Sequence, residues 1–366
     1  MKIGLFELTT YHEECLYTQV KFLRDGGHHI ELFLNPKLKK QVAPYAALAD
    51  RCSYFDFTPG TFLPRRIGRF LKFYRYLKKG RFDVLIFNTA SSKKELLLLC
   101  LLFRNGTPAL TGTLHNLQKL RNSLTQKVFS SSIKQYLVLN DYLVKTGREL
   151  APRNEFRCFY PIFFPEYPEI PLIKPPGETW VCIPGAIETK RRDYDFVLQV
   201  LQALPQNATL RFILLGRPEP SDPRALAFAD TIANSSFGIA VKLFDQFVPE
   251  TEFHAYLKAA DFIWLPLYEK DAAYLKYKIS GPMNLALAYR KPLLCPQTMA
   301  LLPDLEEVAL FYEDRDALVA LLTRLASEPR KETGDFDRPK WSYQYQMRNY
   351  NAILESIANP SKKTAL

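Results

Sequence analysis

Long hydrophobic runs are missing from this chain. The longest, LLLLCLLF at 96–103, is far too short to cross a bilayer and reads as a buried helix. No Cys-x-x-Cys pair occurs, and no histidines and cysteines stand together at metal-ligand spacing. The six cysteines (15, 52, 100, 158, 182, 295) are scattered, which excludes a zinc site of the usual pattern and reads as reduced, mostly buried thiols. The opening MKIGLFELTTYHEE meets Glu7 before an apolar region of secretory type could form, so it reads as a first strand rather than a leader. No short internal repeat is visible, and no paired acidic motif is committed to a metal. Acid is absent from 62–82, FLPRRIGRFLKFYRYLKKGRF, which carries eight Lys and Arg.

What is present is enough for two domains. The 366 residues are 47% hydrophobic and 24% charged, the balance of a soluble globular protein, and the net charge of +11 implies an anionic partner. In the first half, strands are predicted at 2–8, 29–35, 83–89, 109–114 and 135–140, with helices at 13–25, 64–79 and 92–103. A second series follows, with strands at 180–185, 211–216, 241–247, 261–267 and 292–296 separated by helices at 193–204, 223–234, 250–260 and 281–290. This alternation gives an α/β chain with two parallel, doubly wound sheets. The expected division is a first Rossmann-like domain over 1–165, a proline-rich linker over 166–178, and a second Rossmann-like domain over 179–340. A helix at 341–358 is expected to return to the first domain, with a polar, frayed tail at 359–366.

The segment WVCIPGAIETKRRDYDFVLQVLQAL (180–204) runs as a strand, breaks at Pro184-Gly185 and resumes as an amphipathic helix. Lys190, Arg191 and Arg192 stand between the two. In an α/β fold, ligands bind beyond the carboxyl ends of strands, and a helix amino terminus favours an anion. Cations at that place point to a phosphate or diphosphate, against the plainer reading of solvated charge.

Several segments together resemble the family 4-like glycosyltransferases (glycosyltransferase group 1 type) of GT-B fold, two Rossmann-like domains facing one another across a cleft. GGHHIELFL (26–34) resembles their turn after the first helix, and TGTLHN (111–116) the strand end that carries a histidine facing the donor. IPGAIETKRRDYD (183–195) resembles their glycine-then-cation segment. FDQFVPETEFHAYLKAADFIWLPLYE (244–269) is similar to the run into their donor loop, and SGPMNLALAYRKPLL (280–294) to the small-residue helix and strand that follow. The likeness spans most of 1–300. The chain departs from the pattern where two glutamates separated by seven residues are usual, since Tyr277 and Leu285 occupy those places. Ala186 replaces an arginine, and TTYHEE (9–14) replaces a glycine-rich loop. Periplasmic-type binding proteins and some epimerases share the two-domain layout.

The resemblance implies a metal-independent transfer, of hexosyltransferase type, from a nucleotide-diphosphate sugar, with that sugar as substrate and no cofactor. Its expected donor ligands are Gly185, Lys190, Arg191, Ser280, Gly281 and Asn284. The cations would hold the diphosphate on which charge develops, and the Ser280-Gly281 helix start would turn free N–H groups toward an anion. His115 is expected to contact the transferred sugar. Of the acids after the first strand, Glu13 is expected to orient or deprotonate the acceptor hydroxyl, against the routine reading of acids in a helix's first turn. His254 is expected on a surface helix with no chemical part.

The basic stretch has its own reading. At 100° per residue, Ile67, Phe70, Leu71, Tyr74 and Leu77 fall on one arc, expected to pack on the sheet. Arg65, Arg69, Lys72, Arg75 and Lys79 take the other side. That cationic arc suits anionic lipid headgroups, and the resemblance extends to peripheral membrane enzymes with lipid acceptors. Nucleic acid is disfavoured because no recognised motif for it accompanies the patch. The sequence-level conclusion is transfer of sugar to a lipid-linked or polysaccharide acceptor in cell-surface glycan biosynthesis. The setting expected is cytoplasmic, peripheral at the inner face of the plasma membrane. The alternative is a catalytically silent GT-B protein that binds nucleotide-sugar or glycan within an assembly complex.

Overall fold

A computed structural model describes residues 1–10, 12–55, 63–91, 93–104, 106–205, 209–235, 237, 240–269, 271–327 and 334–359, without the side chains of 63–66 and 272. The expected tail therefore lies, after Asn359, outside the described residues. The chain forms two compact units. The first comprises Met1–Pro165, Lys276–Ile279 and Pro339–Leu366, and the second Glu166–Leu275 and Ser280–Arg338.

The first unit holds a parallel sheet of seven strands: β1 (Lys2–Glu7), β2 (His29–Leu34), β3 (Arg51–Tyr54), β4 (Val84–Phe87), β5 (Ala109–Thr113), β6 (Gln135–Val138) and β7 (Glu155–Cys158). Their spatial order is β3-β2-β1-β4-β5-β6-β7. β1, β2, β4 and β6 read as continuous apolar runs because both sheet faces are covered. On one face Phe6, Phe33, Leu85, Phe87, Tyr136 and Phe156 join one buried cluster. On the other, Ile3, Leu5, Ile30, Leu32, Ile86 and Leu137 join a second. β3 and β7 are the edges, four residues each with few buried positions, and carry little periodic signal.

Helix α1 (Leu16–Asp25) covers the second face, and helices α2 (Leu63–Lys79) and α3 (Lys94–Leu102) belong to the first. The buried stripe of α2 differs from the expected arc. Phe73 and Leu77 are buried, while Ile67 and Leu71 are 51% and 41% exposed. The Phe73 ring is drawn to Phe55 at 4.4 Å and Phe33 at 5.3 Å between centroids, which turns the stripe away from Ile67 and Leu71.

A closing helix, Tyr343–Ala358, also packs in the first unit, against α1. Tyr350, Ile353, Leu354 and Ile357 are buried with Phe22 and Leu23. Asn351 Nδ2 donates to the Phe22 carbonyl at 3.0 Å, and Gln346 Oε1 accepts from Tyr160 N at 3.0 Å. Trp341 is buried just before the helix, whereas Tyr345 is half-exposed.

The second unit repeats the plan with six parallel strands: β8 (Thr179–Pro184), β9 (Leu210–Leu215), β10 (Ala240–Lys242), β11 (Phe262–Trp264), β12 (Leu293–Pro296) and β13 (Ala309–Tyr312), in the order β10-β9-β8-β11-β12-β13. β10 and β11 are shorter than the predicted 241–247 and 261–267. Phe247 is 64% exposed beyond the end of β10, and the chain has left the ladder before Pro266. Helices α4 (Tyr194–Ala203), α5 (Glu250–Ala259) and α6 (Gly281–Tyr289) flank this sheet. In each unit the order reverses beside the first strand, between β1 and β4 and between β8 and β11. Those switch points are where an open α/β sheet leaves a crevice at its carboxyl edge.

Candidate active site

At the β1/β4 switch point of the first unit, apolar strands give way abruptly to polar side chains. Glu7, the last residue of β1, is buried, yet its carboxylate accepts from Thr9 N (2.7 Å), Thr9 Oγ1 (2.5 Å), Asn88 Nδ2 (2.7 Å) and Thr89 Oγ1 (2.6 Å). Burial pushes this carboxyl above its ordinary range, against the pull of those hydrogen bonds. Asn88, just past β4, is fully buried and also donates from Nδ2 to the His12 carbonyl at 2.8 Å.

His12 has φ 67° and ψ 22°, a left-handed conformation that a non-glycine residue holds only at a cost. Its ring lies flat on that of His115, with centroids 3.6 Å apart and planes within 11°. Glu14 Oε1 lies 3.4 Å from His12 Nδ1, and Glu13 occupies the same short turn, half-buried. His115 follows the end of β5 by two residues, and its Nε2 meets the Asn88 carbonyl at 2.7 Å. A carbonyl can only accept, so Nε2 carries the proton and Nδ1 the lone pair. Burial, with the neighbouring His12 charge, pushes His115 down to about 3, so the ring is neutral near pH 7. Beside it Lys119 Nζ donates to Ser91 Oγ at 2.9 Å, its own pKa lowered by burial. Thus the first unit brings His115 and the turn carrying Glu13 to one place, and adds His12, Glu14, Asn88 and Glu7.

The second unit's switch point is a glycine cradle. Gly185 follows β8 with φ 102°, a conformation that favours glycine, and a Cβ there would stand 2.9 Å from Arg192 Nη2. Gly216 follows β9, and a Cβ on it would reach 2.2 Å from the Gly185 carbonyl oxygen, so no side chain fits. Arg192 Nη1 is buried and has no hydrogen-bond partner among the described residues. Lys190 and Arg191 are exposed, and Arg191 Nε lies 3.1 Å from Glu188 Oε2. Arg192, the third of the sequence's cations, is the one laid over the strand end.

The loop carrying these cations is braced. Asp222 Oδ2 accepts from Thr189 N (2.8 Å) and Thr189 Oγ1 (2.7 Å), and Tyr268 donates to the Thr189 carbonyl at 2.7 Å. Asp193 caps α4 through Phe196 N at 2.9 Å. Ser280 is the extended residue before α6, buried, with no side-chain cap bond. A Cβ at Gly281 would meet nothing within 4 Å, and Asn284 is buried one turn on. Tyr277 packs against the first unit's core, and its carbonyl accepts from Leu117 N at 2.9 Å, while Leu285 is a half-buried apolar residue. Neither offers a carboxylate. His254 is buried in α5 rather than at the surface, stacked on Tyr167 at 4.5 Å and hydrogen-bonded to Tyr289, because the apolar side of α5 includes it.

On the first unit, Arg69, Lys72, Arg75 and Lys79 of α2 are exposed, while the side chain of Arg65 lies outside the described residues. The exposed face also carries Leu98, Leu101 and Leu102 of α3, 44–49% exposed. A hollow of about 380 Å³ is lined by Tyr74 and Lys78 from α2 and by Leu101, Leu102, Phe103 and Arg104. Among the described residues no helix is long and apolar enough to cross a membrane, and no group of three or more His, Cys, Asp or Glu side chains stands ready for a metal.

No known family profile matches the chain, and no curated protein matches it in sequence. Solved structures do. A glycosyltransferase from Rickettsia africae superposes with TM-score 0.65 at 11% identity, covering 99% of each chain. Anabaena HepE, crystallised with UDP and glucose, gives 0.57 at 11% identity, over 99% of this chain and 98% of that one. A UDP-N-acetylglucosamine 2-epimerase from Listeria monocytogenes, so described provisionally, gives 0.60 at 11% identity, over 99% and 97%. Two Rossmann-like sheets of matching order and full-length superposition establish the GT-B fold. At such identities the likeness extends to fold, which transferases and epimerases share.

Proposed function

We propose that the chain is a glycosyltransferase that takes its sugar from a nucleotide-diphosphate donor bound on the second unit. The observation that carries this reading is the cradle of Gly185 and Gly216 under Arg192. Gly216 lets the end of β9 pack against the Gly185 backbone, Gly185 lets the Arg192 guanidinium lie on the end of β8, and that guanidinium keeps a buried nitrogen without a hydrogen-bond partner among the described residues. An anion with planar, multiple acceptors fits that donor set, since Arg forks onto phosphate oxygens. Lys190 and Arg191 add charge at the rim, and Ser280, Gly281 and Asn284 at the start of α6 supply further polar groups. The protein's own cations stand where leaving-group charge develops, which is the ground for reading the transfer as metal-independent and of hexosyltransferase type. HepE's complex with UDP and glucose makes UDP-sugars the first donors to try. The glycine-then-cation and small-residue-helix segments support placement in the family 4-like group.

His115 and the acids of the 12–14 turn supply the acceptor side. A neutral His115 suits contact with a sugar hydroxyl, and Glu13 or Glu14 suits orientation of the attacking one. The acceptor in this reading is lipid-linked or a polysaccharide. Arg69, Lys72, Arg75 and Lys79 of α2, together with exposed Ile67, Leu71, Leu98, Leu101 and Leu102, form a surface with charge for anionic headgroups and apolar side chains for the layer beneath. The cell setting that follows is peripheral, at the inner face of the plasma membrane.

One observation favours a second reading. Tyr277 and Leu285 cannot replace a carboxylate pair, and a chain that binds nucleotide-sugar without transferring it would tolerate them. A thermal-shift series with UDP-, GDP-, ADP-, CMP- and dTDP-sugars, followed by transfer of radiolabelled sugar to lipid extracts and glycans, separates the readings. Stabilisation with transfer supports the enzyme, stabilisation without transfer the silent binder, and no stabilisation by any donor overturns both.

A further inference from the structure

The histidine pair of the first unit is tied to the closing helix through Asn88, whose side chain joins a line of hydrogen bonds from Tyr350 and whose main-chain carbonyl meets His115. Tyr350 Oη donates to Gln19 Oε1 at 2.9 Å. Gln19 Nε2 donates to the Cys15 carbonyl at 3.1 Å and to Asn88 Oδ1 at 2.6 Å. Asn88 passes both protons of its side-chain amide onward, to Glu7 and to the His12 carbonyl, and its main-chain carbonyl accepts from His115 Nε2. Gln19, Asn88 and Tyr350 are completely buried, so no water competes for these bonds. The direction of every bond is forced. Each amide nitrogen spends both protons, each amide oxygen is an acceptor, and the Glu7 carboxylate ends the line.

We propose that Asn88, oriented by Glu7 on one side and by Tyr350 through Gln19 on the other, is the positioning residue that fixes the tautomer and stacking of His115 and His12. A packed core needs none of this polarity, since apolar residues of similar size would fill the space without an ordered line of donors. The line ends on two features that need holding. One is the left-handed backbone of His12, whose carbonyl would otherwise be free to swing. The other is the His115 ring, which must keep its proton on Nε2 to offer Nδ1 as an acceptor to a hydroxyl. The inference deepens the transferase reading by assigning how its acceptor-side histidine is kept in one state. It is testable without any donor or acceptor.

The experiment is long-range ¹H–¹⁵N correlation on ¹⁵N-histidine-labelled full-length protein, with Tyr350→Phe, Gln19→Leu and Glu7→Gln, each checked for folding by thermal melting. In the parent, His115 should appear as the neutral Nε2–H tautomer throughout pH 5–8, with His12, Glu14 and Lys119 the charged or titratable groups facing it. Tyr350→Phe removes one hydroxyl in a different helix and keeps the ring. It should move the His115 and His12 signals, bring in a second tautomer and raise the His115 midpoint by about one pH unit or more. Glu7→Gln should do the same from the other end, because an amide has one acceptor oxygen where the carboxylate served two sets of donors, Asn88 with Thr89 and the two groups of Thr9. If folded Tyr350→Phe and Gln19→Leu both leave tautomer and midpoint as in the parent, the line is packing and the proposal is overturned. The absence of transferase activity with a responsive tautomer would instead count against the functional reading alone.

Discussion

Arg192 Nη2 would stand 2.9 Å from a Cβ placed on Gly185, so the guanidinium and the glycine occupy one space from opposite sides. Removing the guanidinium should therefore cost donor affinity without unfolding the unit. Losing a charge-assisted hydrogen bond is worth about 1.5–3 kcal/mol, or roughly 10- to 150-fold in Kd for the preferred nucleotide-sugar. Calorimetric titration of Arg192→Ala checks this, and the Lys190→Ala/Arg191→Ala pair should weaken binding by less, since both side chains are exposed. An unaltered Kd in Arg192→Ala would remove the diphosphate from this strand end.

Gly185→Ala meets two obstacles, a positive φ and the guanidinium. It should lower the melting temperature and weaken donor binding together, with the strain costing about 1–2 kcal/mol. A stable variant with parental affinity would show that the cradle is not where the ligand lies.

Glu7 and Asp222 should pull stability in opposite directions with pH. The folded Glu7 carboxyl is raised above its ordinary value by burial, so between that value and the raised one the folded state binds more protons. Its contribution to stability therefore falls as pH rises through this window. Asp222 is lowered, first through the Thr189 hydroxyl, so its contribution is present above the ordinary aspartate range and is lost as pH falls through the depressed value. Denaturant melts from about pH 2 to about pH 8 should show Glu7→Gln losing the first trend and Asp222→Asn the second. Identical pH profiles in parent and both variants would contradict the assignment.

Reversing Arg69, Lys72 and Arg75 to glutamate should abolish sedimentation with vesicles rich in acidic lipid, at about 1 kcal/mol for each cation near the surface, and leave the fold intact. Replacing Leu101 and Leu102 with serine should weaken the same binding while preserving its salt dependence, because only the apolar share is lost. Binding of the parent to neutral vesicles as strong as to acidic ones would refute the electrostatic part.

Much of the fold was legible because central parallel strands are apolar on both faces. β1, β2, β4, β8 and β9 show as uninterrupted runs such as KIGLFE and LRFILL. The edge strands RCSY and EFRC have half-open faces and no such run, and ALFY, at the edge of the second sheet, is likewise short. The cation segment was legible as a place, but which cation covers the glycine depends on a loop held by Asp222 and Tyr268, each tens of positions away. Tyr350, Gln19 and Asn88 were beyond reach for the same reason: 331 positions separate Tyr350 from the amide it meets. The buried stripe of α2 departs from an ideal 100° arc because Phe33 and Phe55, far away in sequence, draw Phe73 inward. His254 looked polar in sequence and is buried because Tyr167 and Tyr289 give its ring both stacking and a hydrogen bond.

The closing helix has a further consequence for the order in which the chain matures on the ribosome. Residues 1–165 are synthesised before the closing helix, and Phe22, Leu23 and Gln19 lack their Tyr350, Ile353 and Leu354 neighbours until 343–358 have emerged. The second unit, Glu166–Leu275 with Ser280–Arg338, is translated in full before then. A nascent chain thus carries an uncovered apolar flank on residues 1–165 until the closing helix is made, and that flank is what a chaperone would meet.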